Sequence, residues 1–275
     1  GAIGKGYVEG WQILRHGDGE AGIAVLLGAV ELAQRNHQEV DNRRVLVHGQ
    51  RFRRDQMTRL DELGIFPSLF PMHTFYWGDY HRDSVLGPER AENISPTGWV
   101  RERGMMFGSH HDAPVALPDS MRVLSATVTR RSRTGDILGP LHRVSVMDGL
   151  RSLTIWPAWQ HFEEDTKGSI EVGKIADFVV LSDNPLEVPE DQLDDLRIME
   201  TIKDGETVYT RAVDADARLE APALGLHAGA HADETAQLRL RAFGRPIGCD
   251  GCVNPAVHVL LRSMASGSAQ RAADR

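Results

Sequence analysis

The chain has 275 residues, of which 41% are hydrophobic and 25% charged, an ordinary globular balance that excludes disordered, fibrous and membrane classes. Thirty-nine acids against 31 Lys plus Arg leave a net charge of -8 with no basic stripe, which argues against nucleic acid as a partner. No apolar run nears the roughly 20 residues of a membrane span, residues 1–6 lack a signal-peptide pattern, and Cys249 and Cys252 are too few for a disulfide framework. A soluble, cytoplasmic protein is expected, one whose chain begins partway through a longer protein.

In chain order, residues 11–16 read as a strand, and residues 21–34, with Ile23, Leu26, Leu27 and Val30 at helical spacing, read as a helix. Residues 44–48 are the next strand. A helix over 55–63 ends at Gly64, placed for a left-handed stop, and residues 65–70 form a third strand. Residues 71–98 carry Pro, Gly, His and aromatics without a clean period, which predicts a long functional loop with one short helix at 89–93. A helix over 99–103, a fourth strand over 104–108, and helices over 120–131 and 145–156 follow. This βα alternation predicts parallel strands covered by helices.

From Lys167 the texture changes. A turn-rich approach leads into an apolar strand at 177–181, and residues 198–203 and 206–210 flank Asp204-Gly205 as a hairpin. The expected domains are 1–166, carrying the barrel-type strands and helices, 167–211, a small β module, and 212–275, an irregular C-terminal extension.

His16, His48 and Asp112 each follow a predicted strand. Parallel strands of a βα array recur about every 30 residues, so the three should emerge on one C-terminal rim, where barrel enzymes place their sites. Imidazole and carboxylate are the ligands expected for zinc or a similar divalent ion. Taken singly, a His after a strand is more often a surface residue, and Asp before Ala-Pro is a common turn former. The common register of all three favours the metal.

Five segments also match a family in order: His16-Gly17-Asp18-Gly19-Glu20, Val47-His48-Gly49-Gln50, Phe70-Pro71-Met72-His73, His111-Asp112-Ala113-Pro114-Val115, and the string from Gly168 to Leu181. Over about residues 5–211 the chain resembles the C-terminal portion of the amidohydrolase superfamily's family 3 branch, which includes N-substituted formamide deformylase-like enzymes. The resemblance implies an α/β fold, the C-terminal half of a TIM-like (β/α)8 barrel plus part of a small β-sandwich. It implies that His16, His48 and Asp112 hold the metal, and that the catalytic residue Asp112 exchanges a proton with the metal's water. His73, Trp77 and His111 would contact substrate.

Three departures accompany the resemblance. The family's first-strand His-x-His and fourth-strand lysine or glutamate have no counterpart here, Glu20 stands where Asp is usual, and His111 where Ser is usual. The expected function is a metal-dependent hydrolase, zinc its most favoured cofactor, acting on an amide or formamide carbon-nitrogen bond of a small molecule. The chain is expected to need the missing N-terminal half or oligomer contacts. The alternatives are a non-catalytic half-barrel remnant or assembly subunit, and a metal-dependent esterase on the same fold. A second, weaker ligand set is His227 with His231 and Cys249 with Cys252.

Overall fold

The computed structural model describes residues 2–37, 41–212 and 259–260. The His227, His231, Cys249 and Cys252 set lies outside the described residues, as does most of the 212–275 segment. After a short helix α1 (Ala2–Val8) come β1 (Leu14–Gly17), α2 (Glu20–Asn36), β2 (Val45–His48), α3 (Arg54–Glu62) and β3 (Phe66–Leu69). Then follow α4 (Met72–Tyr80), a π-helical turn His81–Val85, α5 (Pro88–Ala91), α6 (Thr97–Glu102), β4 (Gly108–Ser109), α7 (Ser120–Thr129), α8 (Val146–Arg151) and α9 (Ile155–Gln160).

The first four strands form one parallel sheet in the order β1-β2-β3-β4. Its register places Gly17, His48, Leu69 and Ser109 in a single row across the strand ends. The apolar stripe of α2 (Ile23, Leu26, Leu27, Val30) packs with Leu60 of α3, Val45 and Leu46 of β2 and Phe66 and Leu69 of β3 in one core. Each such side chain contributes about 1.5–3 kcal/mol by leaving water. A second core joins α4 and α7 to Val179 and Leu181. Strand β1 is different: Leu14, Arg15 and His16 are all exposed.

The second sheet is built from β5 (Phe178–Leu181), β6 (Ile198–Lys203), β7 (Glu206–Thr210) and β8 (Val259–Leu260), in the order β7-β6-β5-β8. Strand β5 runs antiparallel to β6 and parallel to β8. Asp204 and Gly205, with φ 52 and 80, make the turn between β6 and β7, the doubly left-handed turn that Asp-Gly favours.

Three sequence expectations need correction. Residues 71–98 are mostly helical, because α4 buries Met72, Thr74 and Gly78 and its aromatics and histidines face mixed surroundings, so no apolar period shows. The fourth strand starts at Gly108 and not at 104. Gly104, with φ 72, donates to Arg101 O and Met105 donates to Val100 O, so these residues close α6. The predicted helix over 145–156 is two helices, since the ring of Pro157 excludes a helical carbonyl at Leu153. Gly64 ends α3 as expected, with φ 61 and paired bonds from Gly64 N to Asp61 O and from Ile65 N to Leu60 O.

Candidate metal centre

The histidines gather where the parallel strands end. His16 is the third residue of β1 and His48 the last of β2. His110 directly follows β4 and Asp112 lies two residues further on. His48 adopts φ 73 and Asp112 φ 53, left-handed conformations rare outside glycine. Such strain persists where surrounding structure enforces it, and it clusters at functional sites. At His48 it takes the ring out of the regular alternation of β2, so that the His16 and His48 rings meet edge to face at 4.3 Å although their residues lie in adjacent rows of the sheet.

The loop after His48 is held from three sides. Gly49 N donates to Gly17 O, Arg51 N to Asp18 O, and Ser95 N to Gln50 O. The two-residue strand β4 is anchored by Ser109 N donating to Ser152 O, by hydroxyl contacts of Ser109 with Thr127 and Ser152, and by His110 N donating to Leu69 O.

Two overlapping ligand sets result: His16, Asp18 and His48, and His48, His110 and Asp112, the ligand atoms of each set lying within 4.8 Å of one another. His48 Nε2 is 3.9 Å from Asp112 Oδ2, and His16 Nε2 is 3.5 Å from Asp18 Oδ2. His16 and Asp112 thus meet through His48, which both sets share. Sequence reasoning missed Asp18 and His110. Each was visible as a ligand-type residue within two positions of a chosen one, but which residue faces the centre depends on the local backbone.

His73, second residue of α4, packs its ring against Phe70 at 4.5 Å and against His48 at 6.1 Å. Trp77 lies one helical turn on, 6.3 Å from His73. His111 is turned to its own loop, where its Nδ1 accepts from Ala113 N at 3.1 Å.

Burial lowers the pKa of His48 below the ordinary imidazole value, although the Asp112 carboxylate opposes it. Burial, with smaller contributions from neighbouring histidines, takes His73 and His110 down to about 3. Neutral rings are what a cation needs as ligands. His48 Nδ1, His73 Nδ1, His110 Nε2 and Asp18 Oδ1 are buried with no hydrogen-bond partner among the described residues. The imidazole and carboxylate groups of the two ligand sets, with open buried positions at His48, His110 and Asp18, fit a divalent cation.

Residues 3–209 match the sequence model of the amidohydrolase family. The chain is 29% identical over 201 residues to an N-substituted formamide deformylase of Arthrobacter pascens, covering 71% of this chain and 36% of that protein. Among solved structures, an uncharacterized metal-dependent hydrolase from Pyrococcus horikoshii OT3 superposes with a TM-score of 0.54 at 22% identity, over 65% of this chain and 35% of that one. An amidohydrolase from Thermotoga maritima MSB8 does so with a TM-score of 0.52 at 20% identity, over 73% and 44%. These two likenesses are of fold, and the chain spans less than half the length of each of the three proteins. With three quarters of its length matched by the family model, the chain belongs to the amidohydrolase family.

Proposed function

We propose that this chain is the metal-bearing C-terminal half of a (β/α)8-barrel hydrolase that cleaves the carbon-nitrogen bond of a small amide or formamide in the cytoplasm, with the second sheet as part of a β-sandwich module. The observation that carries the reading is the junction at His48, where two ligand sets meet around buried, unpartnered ring nitrogens. His16, His48 and Asp112 would hold a divalent cation, zinc by ligand type, and its chemistry when bound is to acidify water and polarise a carbonyl.

Asp112 accepts the proton that water loses on adding to the carbonyl carbon. It then returns that proton to the departing nitrogen, so that amide plus water becomes acid plus amine. His73, whose ring lies 6.1 Å from that of His48, would donate to the substrate carbonyl, Trp77 would form an apolar wall, and His111 would meet the outer part of the substrate. The same residues would serve an ester, whose leaving group is an alkoxide in place of an amine.

A second reading, an assembly subunit requiring a complementary half, is favoured by the β1 edge. Leu14 is exposed on that strand, and Val8, Trp11, Val25 and Leu32 are exposed on the segments beside it. Uncovered strand edges normally call for a partner.

Both readings are tested by assaying the purified chain with added zinc on N-formyl and N-acyl substrates and their ester analogues, alone and after mixing with an N-terminal half from a full-length relative. Turnover lost in Asp112→Asn supports hydrolysis, and turnover only in the mixture supports the assembly reading. No turnover in either arm rejects the hydrolase.

A further inference from the structure

We propose that His110 is a direct ligand of the same centre as His48 and Asp112, binding through Nε2. The inference rests on the reading of the site as a metal centre and adds to it a ligand that neither the family resemblance nor the sequence spacing supplies.

His110 is placed by its backbone. Its N–H donates to Leu69 O at 3.1 Å, continuing the β3–β4 ladder one residue beyond β4. Its ring stacks on Phe70 at 5.2 Å with the planes 6° apart, and Phe70 is itself buried. The ring plane is therefore fixed by packing.

The open nitrogen of the ring follows from burial. Of the two ring nitrogens, Nε2 is the one buried with no hydrogen-bond partner among the described residues. A neutral imidazole with its proton on Nδ1 presents a lone pair at Nε2. The Nε2 lone pair is buried, and the His110 ring stands 5.0 Å from that of His48, within a set whose ligand atoms lie inside 4.8 Å.

Two neighbours sharpen the assignment. His111 spends its Nδ1 on Ala113 N and belongs to neither ligand set. Asp112, at φ 53, lies in one ligand set with His48 and His110, so the segment 110–112 supplies two ligands two positions apart. A substrate N–H donating to His110 Nε2 is the competing use of that lone pair. It differs in requiring no change at His110 when metal alone is added.

The test uses the full chain with zinc or cobalt alone and no substrate. Zinc affinity is measured by competition with a chromophoric chelator, and coordination by the visible spectrum of the cobalt form, for wild type, His110→Ala, His110→Gln and His111→Ala. Because losing even an outer supporting partner costs 10–100-fold in affinity, loss of His110 is expected to weaken zinc by about 100-fold or more and to change the cobalt spectrum. His111→Ala should leave both close to wild type.

Ring-nitrogen NMR of the wild-type chain provides a readout free of folding defects, with zinc expected to shift the His110 Nε2 signal. A His110 variant that folds, binds zinc within about threefold of wild type, a margin far inside the 10–100-fold range above, and keeps the cobalt spectrum overturns the proposal. An unshifted Nε2 signal in a zinc-loaded chain does the same. If wild type itself takes up neither metal, the metal reading of the whole site falls, and the assignment with it.

Discussion

Replacing Gly49 by Ala tests how tightly the loop behind His48 is built. Gly49 has φ 54, and a methyl group there would lie 2.5 Å from Phe52 Cε2, 3.0 Å from Phe52 Cζ and 3.2 Å from Leu69 Cδ2. Neither neighbour has room to retreat, since Phe52 is 3% exposed and Leu69 is fully buried. The left-handed backbone costs an alanine about 1–2 kcal/mol, and overpacking the core adds about 1–3 kcal/mol. The expected loss is therefore about 2–5 kcal/mol.

Gly64→Ala is the matched control. It has φ 61, and its nearest atom, Arg44 Nη2, is at an ordinary 3.8 Å, so only the backbone cost of about 1–2 kcal/mol applies. Urea denaturation of the two variants, compared with wild type, isolates the clash as the difference. Equal midpoints for Gly49→Ala and Gly64→Ala would refute the packing argument. A shift in zinc affinity confined to Gly49→Ala would show that the loop's position reaches His48.

Arg130 is fully buried and donates to the carbonyls of Leu138, Ser95 and Ile94. Arg130→Met should cost about 3–5 kcal/mol by leaving those acceptors unpaired, lowering the thermal midpoint by about 10 °C. An unchanged midpoint rejects the role of the buried cation. His142 is buried against Trp99, bonded to Asn93 Oδ1, and held at a pKa of about 3, chiefly by desolvation. Unfolded, it takes a proton near its ordinary value of about 6.5, so its contribution to stability is full above that pH and is lost as the pH falls toward 3. Stability should drop between pH 7.5 and 5, and His142→Gln should remove up to about 2 kcal/mol of the drop; an identical pH slope in the variant counts against this account.

The βα order, the parallel strands, the stop at Gly64 and the Asp-Gly hairpin were legible because each rests on local chemistry: apolar period, left-handed backbone preference, turn propensity. His16, His48 and Asp112 stood out in the sequence because each falls at the end of a predicted strand; in the structure His16 lies within the exposed strand β1, His48 closes β2, and Asp112 lies three residues beyond β4. Family membership followed from ordered motifs, the string from Gly168 to Leu181 most of all.

Tertiary structure alone decided what occupies residues 71–98, because α4 packs Met72, Phe75, Tyr76 and Trp77 into one core while its His73 ring stands against those of Phe70 and His48, so that it carries no clean apolar period. It also decided between His110 and His111. Their identities and spacing are equivalent in the sequence, and what separates them is a hydrogen bond from His110 N to Leu69 O and a stacked Phe70 ring, contacts that reach across about 40 residues of chain. Local propensity carries no information about such pairings, so the direction in which a ligand-type side chain points emerges only once the strands have found their register.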